Sequence, residues 1–397
     1  MPFDTTLTPD QEAFRSAARA FVEREIAPVV AAMDETETFP AATVRKLQQE
    51  GYFGIPVPEE HGGLGLGKVG YCLFLEELGR IDASHGAIVG AHTSLGTTPL
   101  LSFGTDAQRA RWLVPAARGE RLLAFSLTEP GSGSDSGAVR TAAFREGDGW
   151  SLTGTKLYVT NGAEADTVVV FAATDPALGP NGGVTAFLVD RGTPGFRVGR
   201  QEKKMGLHGT STAELVLEGV LVGPDHVLGG VGKGFVVAMT ALDVGRVSLG
   251  ASMLGAMEAA CTSSVAFATA RTQFGHPISD FQAIQFKLAD MAMHIHALRL
   301  MVYHAAARHD RMGWDPAAWT RTDRHEKTRE SATLKCLASE WGQATIDAAL
   351  QVHGGIGYIR GTPIERAYRD ARIALIFEGT NEIQRLVVAR DLLARGL

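Results

Sequence analysis

Glycine and proline are spread so unevenly along this chain of 397 residues that it cannot be one uniform fold. Residues 119–234 hold 22 of the 46 glycines, whereas residues 235–397 hold 12 of them and only three prolines, Pro277, Pro316 and Pro363. Both residue types end helices and permit tight turns, so their density separates helical from strand-and-turn architecture. Three regions follow: a helical domain over 1–120, a strand-rich domain over 121–232 and a helical bundle over 233–397. The expected class is α+β multidomain, with a small antiparallel barrel or sandwich in the middle.

Local patterns support each region. Thr8-Pro9-Asp10-Gln11 and Thr105-x-x-Gln108 are capping-box helix starts, and proline suits a first helical position. Residues 51–67 (GYFGIPVPEEHGGLGLG) read as a loop. The runs LLAFSLT, WSLTG, KLYVTNG, TVVVFAAT, VTAFLVD, GFRVG and AELVLEGV are short, β-branched and separated by turn residues, with no helix between them. No strand–GxGxxG–helix unit is present, so a Rossmann nucleotide site is not indicated. From Gly234 to about Thr272 no proline intervenes, which predicts a rod of ~57 Å at 1.5 Å per residue. Ser279-x-x-Gln282, about Asp323, Thr362-Pro363-Ile364-Glu365 and Asn381 open further helices. Helices this long have two faces to bury, which points to subunit contacts. The mixed-sign run RTDRHEKTRE (321–330) reads as a solvated helix start.

Composition narrows the function classes. The net charge is −6 with pI ≈ 6.1, which disfavours nucleic acid as the main partner. Cys72, Cys261 and Cys336 are scattered without a C-x-x-C, against a disulfide scaffold or a cysteine-rich zinc site. No apolar run approaches the length of a membrane span. The opening MPFDTTLTPDQEAF lacks an apolar core, so neither a signal nor a transit peptide is expected. The expected location is cytoplasmic, or the mitochondrial matrix for a eukaryotic mature form.

Few positions carry chemistry. Glu378, in ARIALIFEGTNEIQ, follows an apolar stretch and precedes Gly-Thr-Asn. Desolvation there would raise its pKa toward that of a base working near neutrality, although a carboxylate before a helix N-terminus is also an ordinary placement. Thr128-Glu129-Pro130-Gly131-Ser132-Gly133-Ser134-Asp135 is either a ligand-wrapping loop or a plain turn. Gln351-Val352-His353-Gly354-Gly355-Ile356-Gly357-Tyr358 carries more glycine than a helix C-cap needs. Arg271 and Arg246 could grip phosphate or an acyl ligand, or form surface ion pairs. His294 and His296 do not share a helix face, and His92 and Ser94 lack a nucleophile motif, so no metal and no serine nucleophile is assigned.

Taken together and in order, FSLTEPGSGSD (125–135), LYVTNG (157–162), LDVGR (242–246), RTQFG (271–275) with Phe281-Gln282, QVHGGIGY (351–358) and IFEGTNEIQ (376–384) resemble the acyl-CoA dehydrogenase family over nearly the whole chain. The resemblance implies an N-terminal helical domain, a middle β domain and a C-terminal four-helix bundle. It also implies FAD as cofactor and a fatty acyl-CoA thioester as substrate. Glu378 would remove the α-proton while the β-hydrogen leaves as hydride to the flavin. Phe125, Leu127, Thr128, Gly133 and Ser134 would line the flavin, with Ser134 also near the CoA. Tyr158, Val159 and Thr160 would pack by the ring.

By the same resemblance, Asp243 and Arg246 would touch the acyl-CoA, and Gly379 the substrate. Arg271, Phe274, Gln282, Gln351, Val352, His353, Gly354 and Gly355 would hold the FAD adenine and pyrophosphate, some across a subunit boundary. Thr380, Asn381 and Glu382 would reach the FAD as well. Gly245 stands where some branches carry the base instead, so Glu378 marks the majority branch. Phe125 and Phe377 stand where tyrosine is common. The implied acceptor is electron-transfer flavoprotein and the implied assembly a homotetramer, a dimer of dimers. Same-fold alternatives are an oxidase or monooxygenase using oxygen, and a nucleic-acid-binding relative. The LDVGR and HTSLG (92–96) segments lean toward short or medium acyl chains.

Overall fold

The computed structural model describes residues 7–396. The first six residues, on which part of the leader-peptide reading rests, lie outside the described residues. The first helix, α1 (Pro9–Phe21), opens with the expected reciprocal box: the Gln11 N–H donates to Thr8 Oγ1 and the Thr8 N–H to Gln11 Oε1. Its apolar face seats Phe21 against Tyr52, which stacks on Phe74 of α2 (Gly67–Ile81) at 4.3 Å between ring centres. Helix α3 (Ala83–Gly90) follows and passes directly into a π-helical turn, Ala91–Thr97. Such turns widen a helix locally and cluster at functional sites.

The middle region holds β1 (Leu123–Ser126), β2 (Ala142–Glu146), β3 (Gly149–Thr160), β4 (Thr167–Ala173), β5 (Val184–Asp190), β6 (Phe196–Gln201), β7 (Thr212–Val222) and β8 (Val227–Leu228). They form one sheet in the order β6-β7-β3-β2-β4-β5-β8, with β1 pairing β4 from outside that path. Most pairings are antiparallel as expected, but β1–β4 and β2–β4 are parallel, so the sheet is mixed and does not close into a barrel. Alternation alone could not show this. The parallel partners are brought together by long connections through other strands, not by hairpins. β4 is buried along its whole length, as a strand covered on both faces must be.

The last region is built on α4 (Gly234–Ala270), with α5 (Gln282–Met312), α6 (Arg321–His353), α7 (Pro363–Ala371) and α8 (Asn381–Arg395). By length and hydropathy α4 could cross a membrane, yet 78% of its apolar window is buried inside the protein. It is apolar all round because it is the axle of the molecule, packed by α2, α5 and α6. Two glycines set the closest crossing: a Cβ on Gly79 would lie 2.0 Å from Ser252 O, and one on Gly255 would lie 1.9 Å from Glu76 O. Two start signals read differently in the fold. Ser279 sits in a 3₁₀ turn and does not cap α5, whose flanking residue is Phe281. The charged run 321–330 is not simply solvated. Lys327 is buried over the Trp319 ring, and Thr328 Oγ1 donates to Asp243 Oδ2 at 2.7 Å.

Candidate active site

Glu378 lies between the end of the Arg372–Leu375 turn and α8, with a backbone φ of 55°; Gly379 follows at 91°. Two consecutive left-handed residues throw the chain into a tight kink, a cost for any non-glycine residue that surrounding contacts must offset. Those contacts are specific. The Glu378 carbonyl accepts from Arg246 Nε at 3.3 Å and Gln384 Nε2 at 3.2 Å. The Gly379 carbonyl accepts from Lys335 Nζ at 2.8 Å and Gln384 Nε2 at 3.0 Å. Arg246 is itself held by Asp243 Oδ1 at 2.9 Å, and Asp243 by Thr328. Lys335 also donates to Asn381 Oδ1 at 2.8 Å.

The carboxylate is treated differently. It makes no hydrogen bond among the described residues, and Oε2 is fully buried without a partner there. Burial pushes its pKa up to about 7, against the smaller opposing pull of Arg246 and Lys335. Arg246 is engaged by Asp243 and the Glu378 carbonyl, and Lys335 by the Gly379 carbonyl and Asn381, which leaves the acid raised and not locked in an ion pair. Gly245 makes the room: a Cβ there would stand 2.4 Å from Glu378 Oε2. The helix beneath is fixed by a hydroxyl chain in which Tyr71 meets Ser94 at 3.0 Å, Ser94 meets Ser248 at 2.8 Å, and Ser248 donates to Gly245 O at 2.8 Å.

Glu378 opens onto a cavity of about 1100 Å³ running between the sheet and the helices. Its sheet side is formed by β1, the loop after it and the end of β3. That loop is pinned from below by a buried pair the sequence did not single out: Lys156 Nζ donates to Glu129 Oε1 at 2.7 Å, and Glu129 accepts from the Arg140 and Thr141 N–H groups. Tyr158, at φ 57°, turns its ring outward into the opening.

Three domain families match the chain end to end: acyl-CoA dehydrogenase N-terminal domain over residues 8–120, middle domain over 124–220 and C-terminal domain over 232–393. The chain belongs to the acyl-CoA dehydrogenase family. It is 44% identical over 379 residues to the mitochondrial short-chain specific acyl-CoA dehydrogenase of Bos taurus, covering 96% of this chain and 89% of that one. Among solved structures it resembles butyryl-CoA dehydrogenase from Megasphaera elsdenii, with TM-score 0.92 and 39% identity over 98% of this chain and 100% of the other. It also resembles a Bacillus anthracis acyl-CoA dehydrogenase complexed with FAD, with TM-score 0.90 and 33% identity over 98% of this chain and 68% of the other. This acyl-CoA dehydrogenase is accordingly an oxidoreductase of CH–CH groups, with FAD as cofactor.

The residues fit that cofactor. Thr128 and Thr160 line the cavity, and among the described residues their hydroxyls find no hydrogen-bond partner, nor do the N–H groups of Gly133 and Ser134. A Cβ on Gly133 would meet nothing within 4 Å. Phe125 and Leu127 supply apolar surface beside these donors. The structure therefore brings Phe125, Leu127, Thr128, Gly133, Ser134, Tyr158 and Thr160 to one wall. Arg246, Glu378, Gly379 and Thr380 stand on the others.

Other predicted residues lie elsewhere. Val159 faces the middle-domain core because a bulge at Tyr158 breaks the alternation of β3, so the inward positions pass from Lys156 to Val159. Asn381 is buried and bonded to Lys335 and Ser339. Asp243 is a buttress for Arg246, and Glu382 sits in the first turn of α8. Arg271, Phe274, Gln282, Gln351, Gly354 and Gly355 are exposed, away from the cavity; Phe274 is 91% exposed at φ 54°. Val352 is core, while His353 accepts or donates at Ser263 Oγ (3.0 Å) and stacks on Phe267. The 351–355 turn thus lies against the last turns of α4, next to Arg271. Lys335 carried no local sequence signal, since it sits on a long helix pattern that predicts only a polar face; Gln384 closes the IFEGTNEIQ segment, but no role is read for it there.

Proposed function

We propose that this acyl-CoA dehydrogenase oxidises a fatty acyl-CoA thioester to the trans-2-enoyl-CoA, with Glu378 as the base that removes the α-proton. The observation that carries the reading is the Glu378 carboxylate: buried, unbonded, raised to about 7 and facing the cavity wall that offers flavin donors. A thioester α-proton is a weak acid, and a carboxylate relieved of solvent is a stronger base toward it. Arg246, Lys335 and Gln384 hold the Glu378 and Gly379 carbonyls, so the backbone cannot swing the acid away. The Glu378 N–H has no protein acceptor among the described residues and is free to stabilise charge on the thioester oxygen. Bound FAD would supply the acceptor for the β-hydrogen as hydride.

The proposal extends to the surroundings. Ser134 stands on the loop where the CoA would enter. Arg271, Phe274, Gln282 and the 351–355 turn are exposed in one chain and suited to hold the FAD of a neighbouring subunit, in a homotetramer built as a dimer of dimers. Electron-transfer flavoprotein is the proposed acceptor. The test is Glu378→Gln, which is isosteric and leaves every backbone contact in place. Flavin should stay bound while anaerobic bleaching by acyl-CoA slows by ~10³-fold, within the usual range for loss of a general base. Bleaching within tenfold of wild type refutes Glu378 as the base.

A further inference from the structure

Two of the relatives named above are a short-chain and a butyryl enzyme, yet the space behind Glu378 is not short. The cavity follows one face of α4 inward from the base, past Ser248, Ser252, Ala256 and Ala260. Counted at 1.5 Å per residue, Ser248 to Ala260 spans about 18 Å. The opposite wall is α3 and the π-turn after it, running the other way. Leu95 Cδ2 lies 3.1 Å from where a Gly245 Cβ would stand, Ser94 touches Ser248, and a side chain on Gly86 would meet Ser252 Oγ at 2.9 Å. From Leu95 back to Ala83 is again about 18 Å.

Much of what lines this inner reach is small, with Leu75, Ile81, Ile346 and Ile364 as larger apolar neighbours. On the α3 side, inward of Leu95, the lining residues are Ala83, Gly86, Ala87, Gly90 and Ala91, none with more than a methyl group. A Cβ on Gly90 would meet nothing within 4 Å. The third wall adds Ala367, Ala371 and Ala374. Leu249 and Met253 border the stripe and present apolar, deformable surface. Ser248 and Ser252 place hydroxyls along the α4 wall, Arg80 and Arg366 also line the cavity, and at the remote end Asp82 caps α3 with Asp370 close to it.

We infer that the inner reach is an acyl groove for long chains, of about twelve to sixteen carbons, and that Gly90, Ala87 and Ala256 set the length accepted. An extended chain advances about 1.2 Å per backbone bond, so about 18 Å takes roughly fifteen bonds. The groove is too long for butyrate to fill, and unfilled apolar wall contributes nothing to binding a short substrate. The inference rests on the dehydrogenase reading of the same site and departs from the short-to-medium lean of the sequence.

The experiment measures kcat/KM of the FAD-loaded enzyme with butyryl-, octanoyl-, dodecanoyl- and palmitoyl-CoA, for wild type, Gly90→Leu and Ala256→Leu. Wild type should prefer dodecanoyl- or palmitoyl-CoA over butyryl-CoA by at least tenfold. Each variant should lower the dodecanoyl-to-butyryl ratio by at least tenfold while retaining flavin absorbance. Gly90→Leu places its side chain in open space on a helix and Ala256→Leu fills the opposite wall, so a folding failure in one leaves the other to decide. A butyryl-CoA optimum, or a ratio unmoved by both substitutions, overturns the long-chain groove and leaves the dehydrogenase reading intact. Absence of flavin reduction with every thioester overturns the dehydrogenase reading, and the groove with it.

Discussion

Gly245→Ala separates the position of the base from its identity. The new methyl would stand 2.4 Å from Glu378 Oε2 and 3.0 Å from its Cδ, where ordinary van der Waals contact begins at 3.4 Å. No backbone atom is among the nearest neighbours; the others are the Glu378 carboxylate and the tip of Leu95. What gives way is therefore the carboxylate, which must retreat by about 1 Å. A displacement of that size at a reacting group costs on the order of 10²-fold in rate. Stability moves the other way, since glycine to alanine inside a helix contributes about 1 kcal/mol. The assay is anaerobic stopped-flow reduction of the bound flavin by acyl-CoA, paired with a thermal melt. We expect a rate lowered ~10²-fold, full flavin content and a melting temperature no lower than wild type. A reduction rate within threefold of wild type would show that the Glu378 side chain is not confined as described. A collapsed melt would show instead that the methyl strikes something rigid.

Further outcomes follow from the same geometry. Flavin reduction should quicken as pH rises through about 7 and level off above it, because Glu378 must lose its proton before it can take another; a flat profile from pH 6 to 9 would contradict a raised acid. Lys335→Met leaves the Gly379 carbonyl and Asn381 Oδ1 short of a donor, which should cost about 1–3 kcal/mol in urea unfolding and slow reduction as the kink loosens. Asp370 is pushed up to about 7, first by burial and then by Asp82. A carboxyl raised in the folded state favours folding fully only below its unfolded pKa, and that contribution fades as pH rises through about 7. Asp370→Asn should therefore raise the melting temperature at pH 8 and change it little at pH 4; equal shifts at both pH values would rule this account out.

How far the site could be read in the chain depended on whether its chemistry was local. Glu378, Gly379 and Thr380 are contiguous, and the loop from Phe125 to Ser134 is a strand followed by small residues, so both left marks within ten residues. The capping boxes at Thr8 and Thr105 were legible for the same reason, each being four residues long. The parallel pairing of β1 and β4 was not, because it joins Leu123 to Thr167 across two intervening strands. Lys335 is the more instructive case. Its helix shows an ordinary mixture of polar and small residues, yet its ammonium reaches Gly379 across 44 positions of sequence and fixes the kink on which the base depends. Period-2 alternation from Trp150, Leu152 and Lys156 would turn Tyr158 and Thr160 inward and Val159 outward; the bulge at Tyr158 reverses that phase, and nothing in the local pattern announces it. The deep groove was invisible for a different reason. Glycine and alanine at 86, 87, 90 and 91 read as small residues that any tight helix contact could explain, and Gly79 and Gly255 do serve such a contact. Only the fold separates a glycine that touches backbone from one whose missing side chain opens onto space, and at Gly90 that space is continuous with the cavity beside Glu378.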